Sequence, residues 1–177
     1  MDNINIFILG SGSTGRRSCI HYFIHGQYSE EYDPTIDLSK EIELTEGKKT
    51  RINFEMHYRD CESGMMMSYV FKGTDILVLC FSLTDRQSFT DLTQHIDLFL
   101  TQRKVKKFPM TILGSKLDLA EDRVISKEEV EQFVQQYSDC QYFEISNKTG
   151  EGVNEAFHEA IRLYQRVKNT PKKCLLM

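Results

Sequence analysis

Two runs of this chain are almost free of polar residues, "ILVLCFSL" at 76–83 and "FPMTILG" at 108–114. A strand with one face in water alternates apolar and polar side chains, whereas a strand covered on both faces does not. These two runs therefore call for a sheet with layers packed on both sides. The segment between them supplies one such layer: Phe89, Leu92, Ile96 and Phe99 follow the 3-4-3 spacing of an amphipathic helix over 88–100.

The rest of the chain continues the alternation. Ile4 to Leu9 and "YFEIS" at 142–146 read as further strands. In 126–137, Ser126 and Glu129 form a capping box ahead of Val130, Phe133 and Val134. In 152–167, Val153, Phe157, Ala160, Ile161 and Tyr164 share one helix face. Residues 38–56 differ, with two alternating segments around "EGKK" that read as an antiparallel hairpin. The region 57–68 has weak periodicity, and its Met65–Met67 run reads as a helix face on the core or as an adaptable partner surface. Strands alternating with helices predict an α/β domain: a six-stranded, mostly parallel sheet with one antiparallel edge strand and helices on both faces.

At 177 residues the chain suits one domain, and a net charge of -4 argues against a general nucleic-acid binder. No run approaches the ~20 apolar residues of a membrane span, and the N-terminus does not resemble a signal peptide. Cys19, Cys61, Cys80 and Cys140 are scattered and read as reduced thiols of a cytosolic protein. The five histidines, His21, His25, His57, His95 and His158, read as surface or core residues without metal-ligand spacing.

Chemistry gathers at the carboxyl ends of the strands, where open α/β sheets bind ligands. "GSGSTGRRS" at 10–18 follows the first strand and opens the first helix. Gly10, Gly12 and Gly15 permit a tight turn, so that N–H groups of Ser13 to Ser18 face an anion at a helix N-terminus. A glycine turn without a ligand is the plainer alternative. The phosphate-loop pattern ends in Lys-Ser/Thr, where the lysine reaches phosphate and the hydroxyl binds magnesium. Here Arg16 and Arg17 hold those two positions, and Ser18 comes one residue late.

Two more loops share that edge, "GSKLDL" at 114–119 and "EISNK" at 144–148. With the phosphate loop they resemble the G domain of the Ras superfamily over almost the whole chain. "YDPTI", Tyr32, Asp33, Pro34, Thr35 and Ile36, matches the switch I effector loop of Ras and Rap proteins residue for residue. The resemblance implies a domain over 1–168 and GTP or GDP as ligand. Gly10, Gly12, Ser13, Thr14, Gly15, Arg16, Arg17, Ser18 and Thr35 would lie at the phosphates. Asp118 would accept hydrogen bonds from guanine N1–H and the exocyclic amine, Lys116 would lie along the base, and Tyr28 would stack on it. Ser146, Asn147 and Lys148 stand for the family's S-A-K, an exchange expected to matter little. Ser115 replaces an asparagine that ties the base loop to the phosphate loop, and the shorter side chain is expected to weaken that tie.

The resemblance carries over unevenly. Arg17 cannot ligate a cation, which leaves Thr35 as the remaining metal partner and implies weak dependence on magnesium. The D-x-x-G-Q of switch II is missing: Glu55 or Met56 stands at the aspartate, Tyr58 or Arg59 at the glycine, and no glutamine occurs between Gln27 and Gln87. No catalytic residue is therefore assigned, and hydrolysis should be impaired. After switch I, Leu38 and Lys40 depart from Ras, so effectors and regulators of a different kind are expected to meet that loop.

The tail 169–177 ends in Cys174-Leu175-Leu176-Met177, a C-a-a-X box whose terminal Met favours farnesylation of Cys174. Lys168, Lys172 and Lys173, with Arg162 and Arg166, would add the second membrane signal that one lipid needs. The expectation is a monomeric, membrane-anchored signalling protein on the cytoplasmic face of a membrane, or otherwise in the cytosol. A pseudo-GTPase, an interaction module without nucleotide turnover, is the alternative. An active GTPase with an unusual arrangement is the third.

Overall fold

A computed structural model describes residues 2–29, 37–45, 47–56 and 64–170. Its elements run β1 (Asp2–Leu9), α1 (Arg16–His25), β2 (Ser39–Thr45), β3 (Lys48–Met56), α2 (Gly64–Gly73), β4 (Ile76–Ser82), α3 (Arg86–Arg103), β5 (Met110–Ser115), a 3-10 turn (Leu117–Asp122), α4 (Lys127–Val134), β6 (Cys140–Glu144) and α5 (Val153–Asn169). The six strands lie in the order β2-β3-β1-β4-β5-β6. Every pairing is parallel except β2 with β3, so the hairpin supplies the antiparallel edge strand.

The apolar runs are buried as their composition demands. Every residue of β4 and of β5 is buried. Alternation along β1 splits the core in two: Ile6 and Ile8 face one layer, Phe7 and Leu9 the other. Against the first face α1 and α5 place Phe23, Phe157 and Ile161, with the Phe23 and Phe157 rings 4.8 Å apart. Against the second, α2, α3 and α4 place Phe71, Phe89, Leu92, Ile96, Phe99 and Val130. Each such side chain contributes about 1.5–3 kcal/mol by leaving water.

Helix ends follow local chemistry. The Ser126 hydroxyl accepts from the Glu129 N–H at 3.1 Å and starts α4. The Glu129 carboxylate pairs with Arg86 instead of completing the box, which ties α4 to α3. Asp85 caps α3 by accepting from the Gln87 and Ser88 N–H groups. β6 lies earlier than "YFEIS" suggests, because Ser146 already belongs to a turn closed by its N–H on the Glu151 carbonyl. Residues 65–67 are helical within α2. Residues 57–63, with Cys61, Tyr58, Arg59 and His57, lie outside the described residues, as does the whole YDPTI stretch.

Candidate nucleotide site

Parallel strands deliver their following loops to one edge, and three of these loops interlock there. After β1 the chain turns through Gly10 to Gly15, with Ser13 at φ 62° and Gly15 at φ 82°. Left-handed backbone at Gly15 suits glycine, and a Cβ there would sit 2.5 Å from the Asn147 amide nitrogen. At Gly10 a Cβ would lie 2.2 Å from the Cys80 carbonyl oxygen, so the loop crosses directly over the end of β4. The helix that follows starts at Arg16, and the first-turn amides of a helix have no carbonyl ahead of them within it.

The loop is held from beneath. The Thr14 carbonyl accepts from the Ser115 hydroxyl at 2.7 Å and from the Cys80 thiol at 3.0 Å. The Cys19 thiol donates to the Arg16 carbonyl at 2.9 Å. Burial pushes the Cys19 thiol well up and the Cys80 thiol to about 11, so both stay protonated and remain donors. Ser11 donates to the Asp91 carboxylate at 2.5 Å, and bonds from Ser11 and Gln87 hold Asp91 below the ordinary carboxylate range.

Ser115 therefore keeps a direct link to the phosphate loop, contrary to the expected weakening. It reaches because Thr14, itself buried, lies directly against β5. Asn147 is a second correction. Its side chain is buried, and its amide donates to the Gly15 carbonyl at 2.9 Å, so the exchange from alanine adds a strut. Sequence spacing carried no signal for this contact, because residues 15 and 147 meet only through the fold.

The two base loops are joined as well. Lys116, at φ 66°, turns the chain sharply after β5. The Leu117 N–H donates to the Ile145 carbonyl at 3.1 Å. The buried Ser146 hydroxyl donates to the Asp118 carboxylate at 2.7 Å and accepts from the Thr149 N–H at 3.2 Å. Asp118 itself is exposed, with one oxygen fixed by Ser146. Lys116 is half-buried, Lys148 exposed, and Tyr28 40% exposed beyond the end of α1. Beneath this region Arg123 pairs with Glu144 at 2.5 Å, and the Tyr142 hydroxyl donates to Glu144 at 2.9 Å. Burial raises the Glu144 carboxyl, but Arg123 and Tyr142 outweigh it and hold it low.

A family model for the Ras family matches residues 5–166. The chain belongs to the Ras family. It is thus a small GTPase by descent, and membership implies a guanine nucleotide as ligand. The residues present fit that group. Asn147 Oδ1 is buried without a hydrogen-bond partner at the seam between base loops and phosphate loop. The fixed Asp118 carboxylate and the Arg16 and Arg17 side chains supply the charges that a base edge and phosphates need.

The structure brings together Gly10, Gly12 to Ser18, Ser115, Lys116, Asp118 and Ser146 to Lys148 at one edge. Tyr32 to Ile36, including Thr35, and the tail with Lys172, Lys173 and Cys174 lie outside the described residues. Among the described residues no group of three or more His, Cys, Asp or Glu could hold a metal, and no helix is long and apolar enough to cross a membrane. His21 and His25, one turn apart on α1, do come close, with ring centroids 4.6 Å apart.

Proposed function

We propose that this chain is a guanine-nucleotide-binding signalling protein, farnesylated on Cys174 and held on the cytoplasmic face of a membrane, with weak magnesium dependence and impaired intrinsic hydrolysis. The observation that best supports the base-binding half is the Ser146–Asp118 bond of 2.7 Å, which holds one oxygen of a carboxylate that would receive two donors of guanine. Charge-assisted hydrogen bonds of that kind contribute roughly 1.5–3 kcal/mol each. Lys116 and Tyr28 would flank the base, and Ser115 and Asn147 would keep its loops in register with the phosphate loop.

At the other end of the ligand the chemistry changes. Arg16 can fork onto phosphate oxygens, but a planar guanidinium cannot sit as a lysine ammonium does. Arg17 offers no ligand to a cation and repels one. When bound, magnesium supplies charge neutralisation between β- and γ-phosphates in this family. Thr35 alone would remain to hold it here. Without a glutamine between Gln27 and Gln87, no side chain of that type orients an attacking water. The pseudo-GTPase alternative is favoured by these same substitutions, Arg16, Arg17 and the missing D-x-x-G.

Denaturing the purified protein and assaying the supernatant separates the two. Released GDP or GTP supports the binding protein. No nucleotide, and no thermal shift with added GTP with or without magnesium, supports the interaction module. Rapid phosphate release from added GTP would contradict impaired hydrolysis. Failure of a farnesyltransferase to modify Cys174 would remove the anchor.

A further inference from the structure

The edge of the sheet opposite the nucleotide site is built from the amino ends of the parallel strands and the carboxyl ends of the helices. It collects cations from three separate segments. Lys48 and Lys49 lie at the β2–β3 turn, where Lys48 pairs with Asp2 at 2.7 Å. Lys104, Lys106 and Lys107 lie on the connection from α3 to β5, all exposed. Lys168 ends α5, its ammonium 5.3 Å above the Tyr164 ring. Of the carboxylates at this end, Asp2 binds Lys48, Glu43 accepts from the Gly47 N–H, and Asp75 accepts from the Asn5 N–H and the Tyr164 hydroxyl. Asp139 is exposed, and Asp97, exposed on α3, lies near enough to Tyr137 to add to burial in raising its phenol. For a chain of net charge -4 this is a marked separation of sign. The balancing acids sit elsewhere, with Asp118, Glu121, Asp122, Glu128, Glu129 and Glu131 on the 3-10 turn and α4.

Two further features mark this edge as more than solvated charge. Val105 is 37% exposed between Lys104 and Lys106, an apolar side chain set among ammonium groups. Beside it a cavity of about 300 Å³ opens between the α3–β5 and α4–β6 connections. Lys106, Lys107, Gln136, Tyr137 and Ser138 line it over a floor that includes Phe108, and no carboxylate lines it. Cations, an amide and hydroxyls around an apolar floor suit a phosphate ester attached to a greasy body.

We propose that this edge docks on an anionic bilayer surface, with Lys104, Lys106 and Lys107 on the headgroups, Val105 at the interface and the cavity taking a headgroup phosphate. Where the chain leaves the domain agrees with that occupant. α5 ends at Asn169 on the same edge, and Cys174 lies four residues beyond Thr170. At ~3.6 Å per extended residue a lipid on Cys174 would hold this face within roughly 14 Å of the bilayer. The acidic α4 side would be repelled, so the nucleotide edge faces the cytosol. Docking here rests on the membrane reading above but needs no lipid modification, because the lysines act through charge.

The test uses the full-length, unlipidated protein in co-sedimentation with phosphatidylcholine vesicles, with and without phosphatidylserine. Partition onto the phosphatidylserine vesicles alone is expected, fading as salt is raised. Reversing Lys104, Lys106 and Lys107 to Glu should lower it by about tenfold or more, while Lys127→Glu on α4 leaves it unchanged. In the wild-type protein, vesicles should protect Lys104, Lys106 and Lys107 from acetylation but not Lys127, a readout independent of any variant's folding. Equal binding to both vesicle types, an unaffected triple variant, or complete loss on neutralising Lys172 and Lys173 alone would overturn the docking face. So would tight binding to single-stranded RNA without vesicle binding. If vesicle partition is retained and Cys174 resists farnesylation, only the anchor fails.

Discussion

The base loops and the phosphate loop are welded together yet built to different standards. At the base end, the position of the carboxylate is fixed: Asp118 is held by Ser146, Ser146 by the Thr149 N–H, and the two loops by the Leu117 to Ile145 bond. At the phosphate end the backbone is held equally well, through Thr14 and Gly15, but the two positions that close the phosphate-loop pattern carry Arg16 and Arg17 in place of a lysine and a hydroxyl. The contrast teaches that backbone scaffolding and side-chain chemistry can part company within one site. A loop can keep its shape because neighbours hold its carbonyls, while what it offers a ligand is set by two residues.

The largest effect should come from the base end. Asp118→Ala removes two charge-assisted bonds and should weaken GDP binding by about 10²–10⁴-fold in calorimetry. Arg17→Ala should cost far less, and the reverse ranking would break the comparison. Next is Gly15→Ala, which forces a Cβ onto left-handed backbone and into Asn147. A loss of about 2–3 kcal/mol is expected, seen as a fall in Tm of roughly 4–12 °C. Adding Asn147→Ala should relieve the collision but not the backbone strain, so the double variant should be less destabilised than the sum of the singles.

Restoring the family pattern with Arg16→Lys and Arg17→Ser sharpens the contrast from the other side. Magnesium should then tighten GDP binding by about tenfold, worth ~1.4 kcal/mol, where in the parent it does little. Asn147→Ala alone should cost about 1 kcal/mol in chemical denaturation, because the Gly15 carbonyl keeps its bond from the Cys19 N–H. The smallest effect is on pH. Asp91 is held below its ordinary value of 3.8 by Ser11 and Gln87, so its contribution is full above that value and fades as pH falls through the lowered one. Hydrogen exchange in residues 10–15 should quicken over that acidic window, and Asp91→Ala should abolish the pH response.

Much of this architecture could be read from residue order alone. The runs at 76–83 and 108–114 declared strands covered on both faces because almost nothing polar interrupts them, and the 3-4-3 spacing of Phe89 to Phe99 declared the helix between them. The hairpin was legible from alternation around "EGKK". What composition could not convey was contact across long separations. Ser115 meets Thr14 at a separation of 101 residues and Asn147 meets Gly15 at 132, and residue order does not show where either partner carbonyl lies. The box at Ser126 was half right for a similar reason, since Arg86, distant in sequence, takes the Glu129 carboxylate. Asp85 at the head of α3 does carry a signal, a cap residue ahead of the periodic run. His21 and His25 stand four apart, a spacing that helix geometry turns into contact.

Isothermal titration of the nucleotide-free protein with GDP and ADP, each with magnesium and with a chelator, tests the contrast most directly. The division between a preserved base grip and an altered metal end predicts that GDP binds, that ADP does not bind measurably, and that chelation changes the GDP affinity by less than about tenfold. Equal binding of the two nucleotides, or GDP binding that vanishes when magnesium is withdrawn, would contradict it.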